Sequence, residues 1–155
     1  MVKCVEGSPS GDREGRAVLL VNLHRETAAC GLKDSDAEAI KAAVERPIRA
    51  YTKIRVLTER ASAADPDPYH LPIISLEVDA TASNVSQYCA FVVQLSVYQW
   101  IESADDPRAW RSWMRWAAWK LALGNDRGDV SKFIGDQAEA LAKTLASDWQ
   151  RQNPN

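Results

Sequence analysis

The sequence predicts an α+β fold: a two-layer sandwich in which a sheet of about five strands, mixed or antiparallel, carries two helices on one face. Two amphipathic helical stretches, one in each half of the chain, need an apolar surface on which to bury their stripes. Five runs with strand-like alternation or β-branched and aromatic enrichment accompany them, in the order β-α-β-β-β-β-α. At 155 residues, the chain has the length of one ordinary domain. We place that domain at 16–152, after a segment, 1–15, whose polar character and Gly, Ser and Pro content predict flexibility.

The first strand is Ala17-Val-Leu-Leu-Val-Asn-Leu-His24, which reads as buried on both faces through Val21 and therefore as a central strand. A turn from Arg25 to Lys33 holds Cys30-Gly31-Leu32. Ser35 and Glu38 then have the spacing of a capping box. Leu32, Ile40, Val44 and Ile48 give the following helix an apolar stripe, which should end near Ala50, with Pro47 straining its last turn. Lys53 to Thr58 alternates as a short strand, and Ala61 to Pro72, with three prolines, reads as a loop.

Ile73-Ile-Ser-Leu-Glu-Val-Asp79 sets Ile74, Leu76 and Val78 on one face and Ser75, Glu77 and Asp79 on the other. After a turn from Thr81 to Gln87, the strongest strand runs from Cys89 to Trp100, and a hairpin with its predecessor is the simplest connection. Cys89, Phe91, Val93, Leu95 and Val97 share its inner face, and Gln94, Ser96, Tyr98 and Trp100 its outer one. Ser103 to Arg108 is a turn. Trp110 to Leu121 has Trp at every third position, which fits neither a single helical stripe nor strict alternation; four Trp would cover half a helix surface, and aromatic enrichment favours a strand. Gly124 to Gly128 forms a loop, and Val130, Phe133, Ile134, Ala138, Leu141, Leu145 and Trp149 mark the last helix.

Composition narrows the function classes. With 46% hydrophobic and 26% charged residues, the chain is globular in character. A net charge of -2 with scattered basic residues supplies no attraction for phosphate backbones, so no nucleic-acid partner is expected. The apolar run Ala17 to Val21 is far too short to span a membrane, and 1–16 lacks the apolar core of a signal peptide. Two readings remain: a cytoplasmic protein, or an exported domain given without its signal.

The cysteines bear on that choice. A Cys30–Cys89 bond would close a loop of 59 positions and stabilise by roughly 4 kcal/mol in an oxidising compartment. The other arrangement is two unrelated thiols in a reduced protein. Three dispersed cysteines and two distant histidines match no metal-ligand spacing, and no cofactor motif is present. Gly124 to Gly128 precedes a helix but lacks the Lys-Ser/Thr of a phosphate loop.

His24, at a strand exit, and His70, in the Pro-rich loop, are the candidate general bases. Neither stands in a hydrolase or metalloprotease motif, and ordinary polar edge positions account for both. Glu77 and Asp79 are candidates for acid–base work or a cation, against the plainer reading of a solvated sheet face. Asn84-Val-Ser86 matches a glycosylation acceptor, a triplet common by chance.

Six Trp exceed the needs of a plain domain, and Trp100, Trp110, Trp113, Trp116 and Trp119 fall within twenty positions. In an alternating strand Trp110 and Trp116 share one face, and Trp113 and Trp119 the other. Tyr98, Trp100, Trp110 and Trp116 are therefore the candidate aromatic face for a protein partner, a second copy or a glycan.

Val21-Asn-Leu-His24, Cys30-Gly-Leu32, Ala42-Ala-Val-Glu45, Ile74-Ser-Leu-Glu-Val78, the Cys89 region, Ala117-Ala-Trp119 and the ending Trp149-Gln-Arg-Gln-Asn-Pro154 run through most of the chain. In these the chain resembles a family of uncharacterised exported (periplasmic) bacterial domains, similar in layout to the N-terminal α/β domain of the Tol–Pal propeller protein. Where that family carries paired glycines near the last strand, Trp119-Lys-Leu-Ala-Leu-Gly124 has one. The resemblance implies an envelope location and transfers no catalytic residue. The resulting expectation is a non-enzymatic envelope domain that binds a protein partner or itself. The alternative is a small hydrolytic or ligand-processing enzyme using His24 or His70.

Overall fold

The structure, a computed structural model, describes residues 15–65, 71–83, 88–102, 110–125 and 129–153. Its elements are β1 (Arg16–Leu23), α1 (Ala37–Tyr51), β2 (Arg55–Leu57), α2 (Glu59–Ala63), β3 (Ile73–Ala82), β4 (Tyr88–Glu102), β5 (Trp110–Asn125) and α3 (Val130–Gln152). Two short 3₁₀ turns, Arg25–Cys30 and Asp34–Asp36, connect β1 to α1. The strands form one sheet in the order β2-β1-β3-β4-β5. β1 runs parallel to β2 and β3, whereas β3–β4 and β4–β5 are antiparallel. The sheet is thus mixed, with α1 as the crossover that parallel neighbours require.

Side-chain alternation sets the layers. Ile74, Leu76, Val78 and Ala80 of β3 and Phe91, Val93 and Leu95 of β4 point inward and are buried. They meet Ile40, Val44 and Ile48 of α1 and Ile134, Ala138, Leu141 and Leu145 of α3, the stripes expected from helical spacing. The α+β sandwich is therefore the observed fold, and 110–125 is strand.

Four local expectations are corrected. β1 is buried on one face only: Ala17 and Leu19 are inside, while Leu20 is exposed, because among the described residues helices cover a single side of the sheet. The Ser35–Glu38 box does not form and α1 starts without a side-chain cap; the Asp36 carboxylate accepts from the Lys33 N–H at 2.8 Å in the preceding 3₁₀ turn. The stretch after β2 is not all loop, since the Thr58 hydroxyl accepts from the Ala61 N–H at 3.1 Å and caps α2. Finally, β5 continues to Asn125, through the expected loop start at Gly124.

Two contacts fix the ends of the layers. Cys30, in the turn after β1, is bonded to Cys89 at the start of β4, with Cα atoms 6.0 Å apart. Gly31 follows with φ +84°, a left-handed conformation that suits glycine and lets the chain double back toward α1. At Gly124 space decides: a Cβ there would lie 2.9 Å from Phe91 Cε2 and 3.3 Å from Phe133 Cε1. The missing side chain lets Phe133 of α3 tilt onto Phe91, with ring centroids 6.3 Å apart.

Candidate interaction surface on the uncovered sheet face

β5 distributes its residues against the usual expectation of large inside and small outside. Its inward positions opposite β4 are Trp116, Ala118, Lys120, Ala122 and Gly124, paired with Val97, Leu95, Val93, Phe91 and Cys89. Small residues here allow α3 to approach. The large apolar residues Trp119, Leu121 and Leu123 take the alternate positions and point away from the helices, 69%, 76% and 71% exposed.

The strand is also out of step with simple alternation. Val97 pairs with Trp116 but Tyr98 pairs with Met114, so Arg115 is an extra residue, a β-bulge. The phase of β5 flips there: Met114 is exposed, and Trp116, two positions later, packs on the core. The Arg115 guanidinium donates to Gln99 Oε1 at 2.8 Å across the hairpin.

On the uncovered side, the register sets Leu121 against Val92, Trp119 against Gln94, Leu123 against Ala90 and Met114 against Tyr98. Val92 and Met114 are exposed as well. An apolar band therefore follows β4 and β5 along the edge of the sheet. Toward β3 the face becomes polar: Glu77 pairs with Gln94 and Asp79 with Val92, and the Gln94 side chain donates to Ser96 Oγ at 2.9 Å.

The candidate aromatic face is thereby redistributed. Tyr98 and Trp100 lie half-buried on β4. The side chain of Trp110 falls outside the described residues; its backbone pairs with Glu102 at the far end of the hairpin. Trp116 does not join an outer face. Its indole Nε1 donates to Asp148 Oδ2 of α3 at 2.9 Å, because the bulge has reversed the alternation that would group it with Trp110. Trp119, Leu121 and Leu123 take its place. Their signal lies in the alternation of Trp119-Lys-Leu-Ala-Leu123, which marks one apolar face without saying which way it turns.

Of the candidate bases, His24 Nε2 lies 4.0 Å from Glu77 Oε2, with both side chains about two-fifths exposed. That is a solvated contact, longer than a hydrogen bond. His70 and Asn84-Val-Ser86 lie outside the described residues. Among the described residues no group of three or more His, Cys, Asp or Glu could hold a metal ion. Among the described residues the groups with displaced pKa values are on α3, in the helix layer: Lys132 is raised by its hydrogen bond to Asp136, and Glu139 is lowered by its hydrogen bond from Lys143.

No family model and no curated protein matches the chain. Among solved structures, it is similar to the PelC dodecamer from Paraburkholderia phytofirmans, at 12% identity and a TM-score of 0.53 over 91% of this chain and 94% of that one. A point variant of the same dodecamer gives 13% identity and a TM-score of 0.51, covering 84% and 89%. A homolog of a neuraminyllactose-binding hemagglutinin from Helicobacter pylori follows at 9% and 0.44, covering 93% and 87%. These likenesses are of fold. No helix among the described residues is long and apolar enough to cross a membrane.

Proposed function

We propose that this chain is a non-catalytic domain of the bacterial cell envelope that self-associates through the uncovered face of its sheet. The observation that carries this reading is the band formed by Trp119, Leu121 and Leu123, all more than two-thirds exposed on one strand beside Val92. Contiguous exposed apolar surface of this kind is costly in water and marks interaction sites. The fold likeness to PelC, whose solved form is a dodecamer, agrees with an oligomeric role. The buried Cys30–Cys89 bond favours an oxidising, exported setting, in line with the resemblance to exported domains.

The test is the solution mass of the intact protein by light scattering. An oligomer that Trp119→Asp converts to a monomer, with unchanged circular dichroism, is the expected result. A wild-type monomer at concentrations of tens of micromolar overturns self-association and leaves a foreign partner as the occupant.

A further inference from the structure

We infer that two copies of this chain join edge to edge through β5, in antiparallel register about a twofold axis at Leu121, to make one continuous ten-stranded sheet. The inference rests on the self-association reading but places the contact at the β5 edge of that face, where the apolar side chains meet side by side, instead of across the face. Among the described residues β5 pairs on one side only, with β4, so its other side is a sheet edge sixteen residues long. Such edges are normally blunted by prolines, charges, bulges or a covering element. Between Trp116 and Asn125 there is no proline and no bulge, and Lys120 is the single charged residue. The opposite edge differs. β2 has three residues, Arg55 is exposed on it, and α2 follows at once.

The β5 sequence complements itself in one register. With Leu121 on the axis, Leu121 meets Leu121 of the second copy, and Trp119 meets Leu123 in both directions. All three apolar side chains of the band are then matched on one face. On the other face Lys120 sits opposite Ala122, which keeps the two ammonium groups from facing each other directly. Moving the axis one residue back places Lys120 opposite Lys120, a like-charge pair. Moving it one residue forward leaves Trp119 opposite Asn125. An isologous contact of this kind closes at two copies.

The geometry is read by a distance. In a Cys4→Ser background, a nitroxide label at Arg55→Cys reports the separation of the two β2 strands. Ten strands at the spacing of a β-sheet put them about 43 Å apart, whereas two sheets stacked face to face through the β4–β5 band put them within about 35 Å. A dimer with the long separation, weakened by at least about tenfold in Leu121→Lys, which sets like charges on the axis, is the expected result. A dimer with the short separation overturns the edge contact while leaving self-association through the sheet face in place. An assembly of more than two copies likewise overturns it, and a monomer overturns both.

Discussion

The indole Nε1 of Trp116 donates to Asp148 Oδ2 at 2.9 Å and ties β5 to α3, while Trp119, three residues on, faces solvent on the other side of the same strand. Two tryptophans in one strand thus have opposite duties. Trp116 belongs to the packing between layers, and its removal should act on stability. Trp116→Ala should lower the unfolding free energy by about 2–4 kcal/mol, and Trp116→Phe, which mainly loses the hydrogen bond, by about 1 kcal/mol. Urea denaturation followed by circular dichroism reads both; equal losses in the two variants would show that the hydrogen bond outweighs the packing.

Trp119→Ala should leave stability within about 0.5 kcal/mol of wild type, since the side chain touches mostly water in the single chain. Its effect should appear in solution mass instead. The pair of variants therefore separates folding from association. If Trp119→Ala unfolds the protein at low concentration, where monomers dominate, the outer face is part of the fold and not a contact surface.

Cys30 and Cys89 close a loop of 59 positions, and both are buried. Cys30→Ala with Cys89→Ala should cost about 2–5 kcal/mol, read as a lowered Tm and urea midpoint. Thiol titration of the denatured wild type should find one free thiol, Cys4, and three after reduction. Three free thiols in protein isolated from an oxidising compartment would contradict the bond.

Gly124→Ala should destabilise by about 1–3 kcal/mol, because the added methyl lands 2.9 Å from the Phe91 ring, with Phe133 closing the other side. Pairing it with Phe133→Leu should recover part of the loss if crowding is the cause. Thermal denaturation of the two variants checks this.

The Glu139 carboxylate, hydrogen-bonded by Lys143 and near Arg46, should titrate below the usual glutamate range in NMR. Lys143→Met should return it upward. Because the folded value is depressed, the small stabilisation from this exposed cluster is present above the usual carboxylate range and is lost as pH falls through the lowered value.

Much of the candidate surface was out of reach of the sequence for a physical reason. Alternation shows that Trp119, Leu121 and Leu123 share a face, but it does not say which face receives the helices. That choice depends on the small side chains at Ala118, Ala122 and Gly124, which admit α3 with Phe133 against Phe91. The separation of Trp110 from Trp116 depends on the extra residue Arg115, and a one-residue bulge leaves no mark in a pattern read by twos. The Ser35–Glu38 spacing misled because a 3₁₀ turn precedes α1, and the Asp36 carboxylate is spent on the Lys33 N–H of that turn, so α1 starts with no side-chain cap.

The sequence by itself determined the α+β class, the order of the five strands and two long helices, and the inward stripes of α1, β3, β4 and α3. Each of these follows from local periodicity, which a chain cannot satisfy any other way without exposing its apolar residues. Tertiary structure alone decided three things: that Cys30 meets Cys89, that Trp116 turns inward, and that Trp119, Leu121 and Leu123 are left on an uncovered edge. These are relations between residues far apart in the chain or across a bulge, where close packing of the helices on small residues, and not hydrophobicity, selects the outcome.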